Sequence, residues 1–130
     1  MDLIETISKS YDKEKNVRIK ASIENIDLNI ETAMPYGIIL NELITNSFKY
    51  AFKKQNEPKL EITISKQNDD EILLILKDNG EGLSKDFSKL SNETLGLRLI
   101  NMIVSFQLMG KITYEFDNGA KFTILGKIKE

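Results

Sequence analysis

The run ILLIL at residues 72–76 constrains the fold of this chain more than any other feature. Five consecutive apolar residues predict a strand that is covered on both faces or nearly so, which places it in the centre of a sheet. Alternating apolar and polar residues predict half-buried strands on either side of it in the sequence. These strands are VRIKASIE at 17–24, a run around 60–64, and a closing hairpin of 111–116 with 120–128.

Helical spacing of apolar residues predicts three helices between these strands. The first is short and includes Leu3 to Tyr11, and the second is opened by Pro35 and continues to about Phe52. The third, at 95–108, is apolar almost all round and should be buried, with Gly110 placed to end it. The expected fold is an α/β two-layer sandwich, in which a mixed, mostly antiparallel sheet is covered on one face by helices. At 130 residues we expect one domain over 1–130.

Composition excludes several classes of chemistry. The chain has no cysteine and no histidine, so disulfides, thiol chemistry, Ser-His triads and the usual zinc sites are ruled out. Carboxylates, amides, lysines, a bound metal and the backbone remain. A net charge of −2, from 18 basic and 20 acidic residues, gives no reason to propose nucleic acid as a partner. No apolar run approaches the roughly 20 residues of a membrane span. We expect a cytoplasmic domain that makes no membrane contact.

The tripeptide Asp-Asn-Gly occurs twice, and the two copies predict different structures. Asp117 to Gly119 lies between two alternating runs, so it predicts a hairpin turn. Asp78 to Gly80 ends the apolar strand, but a polar stretch at 81–94 follows it in place of a returning strand. A carboxylate at a strand end can accept the exocyclic amine of a purine, and Gly80 and Gly82 would let the backbone approach a flat ring. A lone D-x-G-x-G is, however, more often a turn than a site.

The second predicted helix carries a polar stripe opposite its apolar side. Glu42, Asn46, Lys49 and Lys53 fall within an arc of roughly 60°. An amide oxygen suits Mg²⁺, and lysines suit phosphoryl oxygens. A solvated helix face is the alternative interpretation. Gly96, at the start of the third helix, adds a second place where free N–H groups could meet phosphates.

Taken together, these motifs resemble the ATP-binding domain shared by DNA gyrase, heat-shock chaperones, sensor histidine kinases and mismatch-repair ATPases. NELITNSFKYAF resembles the asparagine box of the histidine kinases, DNGEGL their first glycine box, TLGLRLI their second, and GAKFTI their terminal glycine-and-phenylalanine strand. The resemblance covers residues 3 to 128. It implies that the domain has a flexible ATP lid. It also implies that residues 1–12 are the tail of a connection to an absent dimerisation and phosphoacceptor segment.

The resemblance also implies roles for individual residues. Glu42 matches the catalytic glutamate that orients or deprotonates the nucleophile, and Asn46 matches the asparagine that binds Mg²⁺. Asp78 matches the aspartate that reads the adenine amine. The remaining nucleotide-binding positions, which lie around the phosphates, the lid hinge and the base, are Lys49, Tyr50, Gly80, Gly82, Thr94, Leu95, Gly96, Leu97 and Phe122.

Three departures accompany the resemblance. Thr94 stands where many relatives carry a glycine, and Ala120 stands where a threonine often follows the last glycine. The third is the absence of histidine, because histidine kinases phosphorylate a histidine on their own dimerisation helices. The implied function is therefore Mg-ATP binding and γ-phosphoryl donation to a histidine on another segment, with a response regulator downstream and a monomer expected for this chain alone. The alternatives are an anti-sigma-type serine kinase and a nucleotide-binding or partner-docking module without kinase activity.

Overall fold

A five-stranded sheet and two helices account for most of the residues described by the computed structural model, which are 18–26, 28–47, 57–80 and 95–127. In chain order the elements are β1 Arg18–Ile23, α1 Ile30–Asn46, β2 Lys59–Asn68, β3 Glu71–Asp78, α2 Leu95–Met102, β4 Lys111–Phe116 and β5 Ala120–Lys127. The strand order is β1-β2-β3-β5-β4, with β1 parallel to β2 and all other neighbours antiparallel. The predicted mixed, mostly antiparallel sheet is confirmed, and β3 is its central strand.

The core lies between one face of the sheet and the two helices. Ile72, Leu74 and Leu76 of β3 are completely buried, whereas Leu73 and Ile75 on the other face are half-buried. The sequence therefore predicted the central position of β3 correctly, but only one of its faces is fully covered. The helices fill the covered side with apolar side chains, among them Ile39, Leu43, Ile44, Ile100, Ile103 and Val104.

Helix α1 begins at Ile30, five residues before the predicted start at Pro35. The Asn29 side chain caps it, because its Oδ1 accepts a hydrogen bond from the Thr32 backbone N–H at 3.0 Å. Pro35 lies inside the helix, where it has no N–H to donate to the carbonyl of Glu31. Glu31 is exposed, so water can satisfy that carbonyl. The prediction was wrong because the helix begins at the residue after its side-chain cap, Asn29, and accommodates Pro35 in its interior. The predicted continuation beyond Ser47 lies outside the described residues.

Helix α2 continues as a π-helical turn at Ile103–Gln107, and its burial differs from the prediction. Leu97 and Ile100 face the core, but Met102 is 57% exposed and Phe106 is 76% exposed. A helix that lies on one face of a sheet buries only the stripe that faces the sheet, so apolar residues on the outer stripe stay in water. The prediction of burial all round was wrong.

After the π-helical turn, the short segment that leads to β4 brings its backbone close to that of β5. Met109 adopts the left-handed conformation with φ of 49°, and the Gly110 N–H donates to the Val104 carbonyl at 2.9 Å. A Cβ on Gly110 would lie 1.9 Å from the Leu125 carbonyl oxygen, so only glycine fits against β5 there. Gly110 marks the end of this segment as predicted.

The two edges of the sheet, which are the β4–β5 hairpin and β1, agree with the prediction only in part. The β4–β5 hairpin is confirmed, with Asn118 at φ 53° and Gly119 at φ 145° in its turn. Strand β1 was predicted to be half-buried, but only Ile19 is, and Ile23 is 49% exposed. Within the described residues, β1 is an edge strand that pairs with β2 on one side, and an edge strand has fewer neighbours that can bury it. No helix in the described part of the chain is long and apolar enough to cross a membrane.

Candidate functional site

Asp78, the last residue of β3, is the most deeply buried acidic residue of the described chain, with 3% of its surface exposed. Its Oδ1 accepts two backbone hydrogen bonds, from Gly80 N–H at 3.0 Å and from Ala120 N–H at 3.1 Å. Its Oδ2 accepts one from the Ser47 hydroxyl at 3.2 Å. Three separate elements, the end of α1, the turn after β3 and the start of β5, therefore hold one carboxylate.

Burial and hydrogen bonding act on the pKa of Asp78 in opposite directions. Burial raises the pKa above its usual value of 3.8, while the hydrogen bonds from Gly80, Ala120 and Ser47 lower it. No cation pairs with this carboxylate within the ranges that the structure describes. A carboxylate offers about four acceptor positions, and three are used here. The remaining position lies on Oδ2 and suits a hydrogen-bond donor such as an amine.

The second Asp-Asn-Gly turn, at Asp117 to Gly119, packs directly against the first. A Cβ on Gly119 would lie 1.9 Å from the Asp78 carbonyl oxygen, so glycine permits this approach. Lys77, the residue before the first copy, forms an ion pair with Asp117 of the second, between Nζ and Oδ2 at 3.3 Å. The second copy is a turn, as predicted, and it also delivers the Ala120 N–H to Asp78. Because that donor is a backbone group, it does not depend on a threonine side chain at position 120.

Asn79 explains why the first copy forms no hairpin. Its side chain accepts a hydrogen bond from the Lys59 N–H and donates one to the Glu57 carbonyl, each at 2.9 Å. These bonds tie the corner to the start of β2, the strand beside β3. β3 ends at this point, so the carboxylate of Asp78 lies at the end of the central strand.

Glu42 and Asn46 of α1 lie against the first turn of α2, and both side chains are half-buried. A Cβ built on Gly96 would be 2.9 Å from Glu42 Oε2 and 3.8 Å from Asn46 Nδ2. The absence of a side chain at Gly96 therefore makes room for the Glu42 carboxylate. Free N–H groups at a helix N-terminus favour negative charge, which suits this carboxylate. The structure brings Glu42, Asn46 and Gly96 together, and their predicted roles at a nucleotide stay predictions.

One helix connects this cluster to the buried carboxylate. Asn46 is the last α-helical residue of α1, and Ser47, the next residue, donates to Asp78. The polar stripe and the strand-end aspartate are thus adjacent parts of one site, which we call the Asp78–Glu42 site. It comprises Glu42, Asn46, Ser47, Asp78 and Gly96.

Two other predicted residues lie in the apolar core. Leu97 and Phe122 are both buried, and the Phe122 ring lies 5.1 Å from the Tyr114 ring, between centroids. Their proposed contact with a nucleotide stays a prediction. Leu95 is the first residue of α2. The other predicted positions, Lys49, Tyr50, Gly82 and Thr94, lie outside the described residues, as does the 81–94 segment.

Three residues that hold the site were missed by the sequence reasoning. Ser47 and Asn79 orient the corner through side-chain hydrogen bonds, and Gly119 does so through close packing. Ser47 carried no local signal, because its contact is with a residue 31 positions away in the sequence. Gly119 carried no signal beyond its turn, since its contact with Asp78 links residues distant in sequence.

Comparison with known proteins agrees with this geometry. A family model described as "Histidine kinase-, DNA gyrase B-, and HSP90-like ATPase" matches residues 32–129. Blue-light-activated histidine kinase 2 of Erythrobacter litoralis (strain HTCC2594) is 22% identical over 88 residues, which are 68% of this chain and 25% of that protein. The chain thus spans about a quarter of the length of this relative.

Solved structures show the same fold. The histidine kinase domain of the Erythrobacter litoralis EL346 blue-light activated histidine kinase superposes with a TM-score of 0.85 at 18% identity, covering 96% of this chain and 57% of that one. Acinetobacter baumannii histidine kinase AdeS gives 0.78 at 19% identity, with 98% and 64% covered. The catalytic domain of histidine kinase ThkA gives 0.77 at 20% identity, with 97% and 91% covered.

The fold and the site define an ATP-binding α/β domain. The chain belongs to the family of histidine kinase-, DNA gyrase B- and HSP90-like ATPases. Its fold is that of histidine kinase catalytic domains, so the resemblance predicted from the sequence is confirmed.

Proposed function

We propose that this domain binds Mg-ATP at the Asp78–Glu42 site and donates the γ-phosphoryl group to a histidine on a separate phosphoacceptor segment. The observation that carries the proposal is the buried Asp78 carboxylate, which three donors hold in place and which, among the described residues, has one acceptor position on Oδ2 without a donor. A buried carboxylate is stabilised by each further hydrogen bond to its charged form, so a ligand donor is expected at that position.

The base that fits this acceptor is adenine. Its exocyclic amine donates a hydrogen bond, whereas guanine presents a carbonyl oxygen at the same position and would meet a charged acceptor. The discrimination follows the general rule that a mismatched buried polar group lowers affinity strongly. Gly80, which is buried beside Asp78, leaves room for a flat ring to approach the backbone.

Phosphates and the metal are proposed to bind at the other end of the site, near Gly96. The described residues contain no group of three or more acidic, histidine or cysteine side chains that could hold a metal alone. Asn46 supplies one amide oxygen, which fits a Mg²⁺ ion that takes its remaining ligands from phosphates and water. When bound, the ion would neutralise charge on the phosphoryl oxygens. Glu42 would orient or deprotonate the attacking imidazole, since its carboxylate lies at the same helix N-terminus.

The partners that follow from this proposal are ATP and ADP, the phosphoacceptor segment and, indirectly, a response regulator. Neither nucleic acid nor a membrane is a proposed partner, and we propose a monomer in the cytoplasm for the domain by itself. A net charge of −2 agrees with the absence of an electrostatic role toward polyanions.

Phosphotransfer in trans tests the proposal. The chain is incubated with γ-labelled ATP, Mg²⁺ and a histidine-containing phosphoacceptor segment, and the label on that segment is tested for acid lability. We expect acid-labile, alkali-stable label with the wild type. We expect at least a roughly 100-fold slower transfer with Glu42→Gln, because a positioned acid–base group contributes about that much.

The matched control is Asp70→Asn, which removes an exposed carboxylate in the β2–β3 turn, at the opposite end of β3 from Asp78. It should transfer at the wild-type rate. Wild-type transfer by Glu42→Gln would contradict the role of Glu42, and acid-stable label would indicate a serine acceptor in place of histidine.

A further inference from the structure

The Ser47 hydroxyl is a buried polar group whose one hydrogen-bond partner, among the described residues, is the Asp78 carboxylate. Ser47 has 4% of its surface exposed, and its Oγ lies 3.2 Å from Asp78 Oδ2. A buried hydroxyl is unfavourable without a hydrogen bond, and alanine would be the better helix former at this position. The serine therefore needs a reason beyond packing, and Asp78 is the group it contacts.

The two oxygens of Asp78 are held in different ways. Oδ1 accepts hydrogen bonds from the backbone N–H groups of Gly80 and Ala120. These donors belong to the backbone, so they do not depend on the side chains at those two positions. Oδ2 receives only the Ser47 hydroxyl among the described residues. Oδ2 is also the oxygen with an open acceptor position. Ser47 consequently fixes the orientation of the oxygen that faces a ligand.

We propose that Ser47 is a positioning residue that determines the selectivity of the site for 6-aminopurine over 6-oxopurine nucleotides. The inference rests on the proposed function, because it assumes that Asp78 meets the base. Ser47 acts through Asp78 and has no contact of its own with the base.

The chemistry of the carboxylate explains how a hydroxyl can set this selectivity. A charged carboxylate only accepts hydrogen bonds, so it favours an amine and disfavours a carbonyl oxygen. A hydrogen bond to the charged form stabilises that form and also keeps the oxygen in one orientation. Without the hydroxyl, Oδ2 can turn away from an amine, and the carboxyl group can take up a proton and donate to a carbonyl oxygen.

ADP and IDP provide a suitable pair of probes, because IDP carries a carbonyl oxygen where ADP carries the 6-amino group. Calorimetric titration of the whole chain with each nucleotide, in Mg²⁺, gives the ratio of the two dissociation constants. We expect Ser47→Ala to bind ADP about three- to tenfold more weakly and IDP within about twofold of wild type. This is the usual effect of one ordinary hydrogen bond, because Ser47 acts on ADP only through Asp78. Ser47→Thr keeps the hydroxyl and should recover most of the ADP preference.

Ser22→Ala is the matched control, since it removes an exposed hydroxyl from β1, the edge strand of the sheet. It should leave both affinities unchanged. An unchanged ADP-to-IDP ratio in Ser47→Ala would overturn the inference, as would an equal loss of both nucleotides or a threonine variant no better than alanine.

The outcome for the wild type separates this inference from the proposed function. If the wild type prefers ADP and Ser47→Ala shows the same preference, only the role of Ser47 fails. If the wild type binds neither nucleotide, the proposed function itself fails, and the role of Ser47 fails with it.

Discussion

Two ionisable side chains, Asp78 and Tyr36, are almost completely removed from water, and they differ in their partners. Asp78 is 3% exposed and receives three hydrogen bonds. Tyr36 is 5% exposed, and its hydroxyl has no hydrogen-bond partner in the structure. A buried group with several well-placed donors is typical of a site that binds a ligand, whereas an unpaired hydroxyl reduces stability. Conservative substitution of Asp78 should therefore change both ligand binding and stability, whereas substitution of Tyr36 should change stability alone.

Replacing Asp78 with asparagine should weaken nucleotide binding and stabilise the fold at neutral pH. Burial raises the folded-state pKa of Asp78, so the folded protein binds this proton more tightly than the unfolded chain. The stabilising contribution of the group is complete below about pH 3.8 and is lost as the pH rises through the folded-state pKa. At pH 7 the wild type retains a buried charge that Asp78→Asn lacks.

We expect Asp78→Asn to lose about 1–3 kcal/mol of ADP binding free energy, because an amine would meet an amide in place of a carboxylate. Urea unfolding should show that its stability advantage over wild type grows between pH 4 and pH 7. Asp70→Asn, in the exposed β2–β3 turn, is the control for a simple change of charge. Unchanged ADP affinity in Asp78→Asn would rule out Asp78 as the residue that reads the base.

Replacing Tyr36 with phenylalanine should stabilise the protein. Burial raises the pKa of Tyr36 from 10.0 to about 12, so stability is lost as the pH rises between these values, where the unfolded chain ionises first. Tyr36→Phe removes an unpaired buried hydroxyl, so we expect its free energy of unfolding to exceed that of the wild type by about 1 kcal/mol at pH 7. Above pH 10, we expect the variant to lose less stability than the wild type does. Urea unfolding at both pH values measures this. A less stable variant at pH 7 would show that the hydroxyl has a partner.

At the scale of elements, two glycines in the α2 region make close approaches of different kinds. Gly96 adjoins the Glu42 carboxylate, the movable end of a side chain, whereas Gly110 adjoins the backbone of β5 at Leu125. A flexible side chain can move aside for a new methyl group, but a backbone carbonyl in a sheet cannot. Substitution at Gly96 should therefore affect mainly function, whereas substitution at Gly110 should affect mainly stability.

Gly96→Ala is expected to change the free energy of unfolding by less than about 1 kcal/mol, since alanine favours the helix. It should slow phosphotransfer by about 10- to 100-fold, because its methyl group displaces Glu42 from its position. Gly110→Ala should lose at least about 2–3 kcal/mol of stability, since its Cβ would lie 1.9 Å from the Leu125 oxygen. Urea unfolding measures the stability of both variants, and the transfer assay measures their phosphotransfer rates. Full activity in a folded Gly96→Ala would exclude the proposed spatial role of Gly96.

Local patterns predicted the elements, and long-range contacts explain most of the differences. The β3 strand and the β4–β5 hairpin were predictable because alternation and turn residues act within a few positions. The start of α1 was misplaced because Pro35 is typical of a first turn, while Asn29, six residues earlier, forms the actual cap. The outer face of α2 was misjudged because apolar residues such as Phe106 need not be buried.

The site was predictable to a similar extent. Glu42, Asn46, Asp78 and Gly96 were identified from motifs, and the structure brings Glu42 and Asn46 to Gly96. The contact between Ser47 and Asp78 joins residues 31 positions apart, so no local pattern could indicate it. The approach of Gly119 to Asp78 depends on the β3–β5 pairing, which only the folded sheet provides.

At the scale of the whole molecule, three elements converge on one site. β3 ends at Asp78, α1 ends beside it at Asn46 and Ser47, and α2 begins at Leu95, next to Gly96. The order β1-β2-β3-β5-β4 puts β5 beside β3, so the last turn of the sheet supports the same corner. The fold thus explains how motifs that are far apart in the sequence come together in the Asp78–Glu42 site, where we propose that ATP binds.

Calorimetric titration of the chain with ADP and ATP, each with and without Mg²⁺ and with GTP as the comparison, is the sharpest test of nucleotide binding at the Asp78–Glu42 site. We expect adenine-selective binding that depends on Mg²⁺ and is weakened in Asp78→Asn. Equal affinity for ATP and GTP would contradict the assignment of Asp78 to the base. No binding at millimolar nucleotide would contradict the claim that this domain binds ATP at the Asp78–Glu42 site.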